Sequence, residues 1–192
     1  MQPQHLAAAF ALALFGQAAQ AAPTVGFVPG APSVLVGESF ALTLRGWGFD
    51  LTTDSKLIDN ITGGQKFNLE FNPGQLELLS VQIAPIWTFT SGNKTGTVDN
   101  DGGFLTGMAF GTFPATTADD FDIATITFKA LKAGTTPVIP YGGEFAAKVN
   151  NLAGAKILPS YEMAQVQVVP EPGQWALMLA GLGLVGWRLR KR

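Results

Sequence analysis

The chain has no cysteine and a single histidine. Without thiols there is no disulfide to staple the fold, no thiolate nucleophile, and no zinc–thiolate or iron–sulfur site. The one histidine is His5, inside a leading segment with the pattern of a removable signal. Once that segment is gone no imidazole remains, which excludes Ser-His-Asp and Cys-His catalysis and histidine metal clusters. Charge is also sparse, at 14% of residues. Of twelve Lys and Arg, four (Arg188, Arg190, Lys191 and Arg192) crowd the last five positions. Residues 22–168 carry thirteen acids against eight bases, a net charge near −5. Nucleic acid is therefore excluded as a partner, because phosphate binding needs clustered Lys and Arg.

What is present divides into three parts. Residues 1–21 hold an apolar run, Leu6 to Phe15, followed by small residues. Ala19-Gln20-Ala21 fits the small-x-small pattern that a signal peptidase accepts, so cleavage is expected after Ala21. The run is short for a permanent membrane helix and suits a signal peptide. Its leading stretch has no Lys or Arg, which departs from the usual basic start.

Residues 169–192 read VPEPGQWALMLAGLGLVGWRLRKR. Pro170-Glu171-Pro172 is a rigid extended handle, since each proline fixes its own φ and restrains the residue before it. Trp175 to Trp187 is uncharged and rich in small residues. The Trp pair suits two membrane interfaces, and the basic cluster Arg188, Arg190, Lys191, Arg192 suits the cytoplasmic side. The expectation is a transmembrane helix with its N-terminus outside. Its thirteen residues reach only about 20 Å against a hydrocarbon core of about 30 Å, a marginal span that suits temporary residence.

A Pro-Glu-Pro handle, an apolar span and an Arg-rich end, in this order and at the C-terminus, resemble the PEP-CTERM sorting signal. The resemblance implies recognition of Pro170, Glu171 and Pro172 by an exosortase, a membrane-embedded cysteine transpeptidase that cuts near them. The catalytic residues would then belong to that partner. It also implies a Gram-negative, exopolysaccharide-making host, brief residence in the inner membrane, and a mature form at the cell surface or in the extracellular matrix of a biofilm.

The middle, residues 22–168, is rich in Gly, Thr, Phe and Val in short alternating runs between turn residues, which predicts an all-β sandwich. Phe40, Leu42 and Leu44 alternate with smaller or polar residues, as do Phe67, Leu69 and Phe71. Asn72-Pro73-Gly74 is a turn. Leu76 to Ile83, Phe104 to Phe113, Ala124 to Lys129, Thr136 to Pro140 and Glu162 to Val169 supply further strands. Asp50 to Gly64 reads as a polar insertion and Tyr141 to Pro159 as loop. The runs FALTLRGWGF, KFNLEFNPGQLELLSVQI and FDIATITFKALKAGTTPVIP resemble the cohesin-like domain of exported bacterial proteins. That resemblance rests on Phe71-Asn72-Pro73 with Leu76, Leu78 and Leu79, and on Phe128-Lys129-Ala130 before Gly134-Thr135. It implies a jelly-roll β-sandwich over roughly residues 25–140, with no dockerin-binding surface that can be mapped.

Four features carry candidate chemistry. Asp99-Asn100-Asp101-Gly102-Gly103 opens like a calcium loop, with alternating oxygen ligands before glycine, but no acid follows until Asp119. The same residues also make a plain turn. Asp119, Asp120 and Asp122 form a second acidic cluster that folding could bring to the first. Trp47, Trp87 and Phe89 are either core or an aromatic platform for a sugar ring. Glu38, Glu70, Glu77, Glu144 and Glu162 could pair as a glycosidase acid and base, or sit on solvated strand faces. The sequons at Asn60 and Asn93 suggest exposed loops. The reading that follows is a non-catalytic structural or adhesive module delivered to an exopolysaccharide matrix or to matrix proteins. The alternative is a carbohydrate-binding module. No cofactor is implied beyond a candidate calcium.

Overall fold

The structure is a computed structural model that describes residues 22–49, 60–116, 119–149, 152–171, 173, 176–182 and 190. The expected signal segment with Ala19 and Ala21, and Pro172, Arg188, Lys191 and Arg192, lie outside the described residues.

Among the described residues, thirteen strands build two packed sheets. They are β1 (Thr24–Val28), β2 (Ser33–Leu35), β3 (Ser39–Trp47), β4 (Asn60–Phe71), β5 (Leu76–Ile83), β6 (Thr97–Asp99) and β7 (Phe104–Thr116). The rest are β8 (Phe121–Ala130), β9 (Gly134–Tyr141), β10 (Glu144–Val149), β11 (Leu152–Ile157), β12 (Ser160–Tyr161) and β13 (Ala164–Val169). One sheet runs β12-β1-β3-β8-β5. The other runs β11-β10-β4-β9-β13-β2, and β4 also pairs β7, which carries β6.

Alternation explains which face each strand buries. In β13, Ala164, Val166 and Val168 point inward while Gln165 and Gln167 face solvent. Leu42 and Leu44 of β3 meet Ile126 and Ala124 of β8 in register, and all four are fully buried. Between the sheets lies an aromatic cluster. The Phe145 ring contacts Phe49, Phe67, Phe110 and Phe121 at centroid distances of 4.9 to 6.0 Å, mostly edge to face. Such contacts add to the apolar burial that drives the sheets together.

Two expectations need correction. Residues 60–64 are the start of β4, paired to β10 and β7. Ile61 is their only large apolar residue, and Gly63 and Gly64 carry no side chain to signal a strand. They are small because a Cβ on Gly64 would strike the Phe67 and Phe110 rings. Within the stretch read as loop, β10 and β11 pair antiparallel, with Phe145 and Ala147 of β10 buried. Alanine and glycine hide their alternation. Asn60 thus lies in a strand, and Asn93 is a bridge, accepting from Gly111 N and donating to the Trp87 carbonyl.

The two ends of the domain run side by side. Thr24 and Val25 pair in parallel with Ser160 and Tyr161, and Ser33 to Leu35 pair in parallel with Gln167 to Val169. Backbone hydrogen bonds from Glu162 to Val25, Gln165 to Gly30 and Gln167 to Pro32 fill the gap between. Residues 24 and 169 therefore lie at opposite poles of the sandwich.

Candidate functional site

The Asp99–Gly103 run closes the β6–β7 hairpin. The Asp99 carboxylate accepts from the backbone N–H groups of Asp101 and Gly102 at 3.1 and 2.8 Å, an Asx turn. Gly103 has φ 77°, and a Cβ there would run into the Phe71 carbonyl. Glycine is thus required by the turn itself. Asn100 reaches away to the other sheet. Its Oδ1 accepts from Leu78 N at 2.8 Å and its Nδ2 donates to Leu78 O at 3.0 Å.

The second acidic cluster sits elsewhere. Arg45 pairs Asp120 at 2.8 Å and Asp122 at 3.5 Å, at the end of β3 where it meets the start of β8. Asp119 gives its backbone carbonyl to Phe49 N. The pairs are largely solvent-exposed and contribute little to stability. Among the described residues, no group of three or more His, Cys, Asp or Glu side chains converges as metal ligands would.

The aromatic candidates divide. Trp87 is 2% exposed, its ring against Phe110 and Phe121, and its indole N–H donates to the Asp122 carbonyl at 2.9 Å. Burial leaves no ring face for a sugar, so Trp87 is a core residue and not a glycan contact. Trp47 faces the outside of its sheet, half-buried over Gly26. Phe89 is 56% exposed and edges a shallow groove of about 310 Å³ with Thr62, Gln65 and Gly111. No sequence signal separated Phe89 from the two Trp residues.

Among the described residues, three of the candidate glutamates have other partners or positions. Glu144 binds Lys156 at 3.0 Å and Lys66 at 3.6 Å, and accepts from Gln65 at 2.6 Å. The Lys156 hydrogen bond, then the Gln65 one, holds its carboxyl below the ordinary range. A general acid needs the opposite shift. Glu77 stands opposite Lys129 across β5 and β8, and Glu38 folds onto the Leu35 N–H.

The C-terminal segment starts at the domain's edge. Val169 ends β13, Pro170 is half-buried and Glu171 is exposed. Gly173, residues 176–182 and Arg190 are helical. Leu177, Met178, Leu179 and Leu182 are 50 to 75% exposed, so the sandwich does not cover them. Among the described residues, no helix is long and apolar enough to cross a membrane.

The family comparison decides what this segment is. Residues 168–192 match the PEP-CTERM protein-sorting motif. The tail is a sorting signal. The motif implies a secreted protein with a C-terminal membrane-anchoring signal, processed by an exosortase. No curated protein matches the chain. Among solved structures, the sandwich is similar to the seventh ScaB type I cohesin of Pseudobacteroides cellulosolvens. The TM-score is 0.60 at 16% identity, over 78% of this chain and 93% of that one. A type I cohesin of Clostridium thermocellum, solved in complex with a dockerin, gives a TM-score of 0.59 at 12% identity, covering 78% and 95%. A non-cellulosomal cohesin of the archaeon Archaeoglobus fulgidus gives 0.56 at 11% identity, covering 81% and 97%. The domain carrying the PEP-CTERM motif therefore has a cohesin-like fold.

Proposed function

We propose that this chain is an exosortase-processed envelope or matrix protein whose β-sandwich is a non-catalytic structural or adhesive module that binds another protein. The observation that carries the reading is the junction at Val169, where the cohesin-like sandwich passes directly into the sorting motif. Three further features support it. The apolar side chains of residues 176–182 are uncovered, which suits lipid contact by a transient anchor. The likeness to cohesins, at least one of them solved with a dockerin, favours a protein partner over a small substrate. The Glu144 carboxyl is held below its ordinary range by Lys156 and Gln65, the opposite of what a general acid needs.

The signal segment ending at Ala21 and the Arg188–Arg192 cluster orient the precursor, with the sandwich outside the inner membrane. After processing the domain resides at the cell surface or in the matrix. Carbohydrate binding is the second reading, and it draws on the exposed Phe89 ring and the half-buried, outward-facing Trp47. The test is fractionation of the native host with and without its exosortase. Loss of the enzyme leaves full-length precursor in the membrane fraction. Unchanged tail removal without it refutes the sorting assignment. Hydrolytic activity in the purified product refutes the non-catalytic one.

A further inference from the structure

The sandwich and the sorting tail share a strand. β13 is an interior strand next to the edge of its sheet, paired along five residues with β9 and along three with β2. Ala164, Val166 and Val168 are buried at 0 to 2% exposure. The Val169 carbonyl accepts from Val36 N at 3.0 Å, and the neighbouring Gly37 N–H binds the Ala130 carbonyl at 2.7 Å. Pro170 follows at once, half-buried, with Glu171 beside Gly37. From Val169 to the helical Gly173 the chain reaches at most about 14 Å when extended. The headgroup layer of a bilayer is itself roughly 5–8 Å deep, so an inserted tail leaves at most about 6–9 Å between lipid and domain.

Enzymes that cut a backbone take it up as an unpaired extended strand, through the same main-chain hydrogen bonds that a sheet uses. Residues 164–168 pair β9 and residues 167–169 pair β2, so Gln167 and Val168 are committed on both sides, and the Val169 carbonyl is taken by Val36 N. Their carbonyls are part of a ladder, and freeing them means undoing the strand that closes the sheet. The first carbonyl outside the ladder is that of Pro170.

We propose that β13 sets the upstream limit of exosortase processing: in the folded precursor the bond broken lies C-terminal to Pro170, and the tightness of the Val169–Pro170 junction limits the rate. The inference rests on the sorting function above. A peptide C–N bond breaks, and its nitrogen leaves as the amine of the tail fragment. The acyl carbon passes to water or to an acceptor amine, whose displaced proton goes to the leaving nitrogen.

The experiment is a pulse-chase of the full chain in its exosortase-bearing host, with mass spectrometry of the product's C-terminus. Two variants each carry an inserted Gly-Ser-Gly-Ser, one between Val169 and Pro170, the other between Pro172 and Gly173. The first relieves the junction and is processed several times faster than the natural chain. The second lengthens the tether but leaves the motif against the sheet, and its rate is unchanged. The melting temperatures of both products check that the sandwich is intact. A natural C-terminus within residues 164–169, equal rates for all three chains, or acceleration by the second insertion alone overturns the proposal. An exosortase deletion run in parallel separates this failure from failure of the sorting function, since there the natural chain itself would be processed without the enzyme.

Discussion

Asn100 decides between the two chemistries that the Asp99–Gly103 run can serve, and its substitution has a calculable effect. Its amide both donates to and accepts from Leu78, at 3.0 and 2.8 Å, tying the β6–β7 turn to an edge strand of the opposite sheet. The bonded Leu78 groups sit beside the register shift between Leu78 and Ser80, where the ladder to β8 is interrupted. Asn100→Ala removes both bonds and leaves a part-buried N–H and C=O without that partner. At about 1 kcal/mol for each lost bond, with some added cost of desolvated backbone, the expected loss is ~2–3 kcal/mol. For a domain of this size that lowers the melting temperature by roughly 4–12 °C. Asn100→Asp keeps the acceptor for Leu78 N but sets a carboxylate against the Leu78 carbonyl. It is therefore expected to destabilise as well, by about 1–2 kcal/mol. A calcium loop predicts the reverse, because an added carboxylate strengthens a cation site. The assay is thermal unfolding of the secreted form and both variants, with and without millimolar calcium. A loss under about 0.5 kcal/mol in Asn100→Ala refutes the bridging role, being smaller than one net hydrogen bond. A calcium-dependent rise in melting temperature, largest in Asn100→Asp, refutes the assignment of the run as a turn.

Trp87→Ala opens a cavity among Phe110 and Phe121 and is expected to cost ~3–5 kcal/mol, read by denaturant unfolding, whereas Trp47→Ala costs clearly less. Thr136 is fully buried in β9 and its hydroxyl has no hydrogen-bond partner among the described residues. Thr136→Val keeps the shape and removes that cost, so stability rises by up to about 1 kcal/mol; a loss would indicate that the hydroxyl is satisfied. Glu144 has its carboxyl pushed down by Lys156 and then Gln65, so its contribution is present above the ordinary carboxylate pKa and is lost as pH falls through the lowered folded value. Melting curves between pH 6 and pH 3 should fall more steeply for the natural chain than for Glu144→Gln, and parallel curves would contradict the linkage.

The strands with large alternating side chains were legible in the sequence. Leu76–Ile83 has the bounds its pattern predicts, and Phe67, Leu69 and Phe71 are all buried as their spacing requires. What escaped was strand built from small residues. Gly63 and Gly64 serve close packing, and Ala146 and Ala147 alternate in direction without differing in polarity, so periodicity had nothing to register. β1 and β2 are short, separated by Pro29, Gly30 and Pro32, and were not among the expected strands, yet their backbones complete both sheets through parallel pairing to residues 160–169. Side-chain fate was harder still. Trp47 and Trp87 look alike in sequence, and only the position of each relative to the two sheets makes one a surface ring and the other core. Asn93 and Asn100 carried no signal as bridges, because Gly111 and Leu78, to which they bind, lie 18 and 22 residues away on other strands. The tail was the most legible part, since its order of handle, apolar span and basic end is a property of sequence alone.

The side-by-side course of residues 24–35 and 160–169 has a mechanical consequence. A pull between the two termini runs along these strands, because they are parallel and end at opposite poles. The bonds of β1 to β12 and of β2 to β13 are then loaded in shear and share the force, where a peeling geometry would break them one at a time. Forced unfolding is governed by the unfolding barrier, so such a clamp lengthens lifetime under tension without needing a larger equilibrium stability. A module held by its C-terminal end and tugged from the far pole would present its strongest direction to the load.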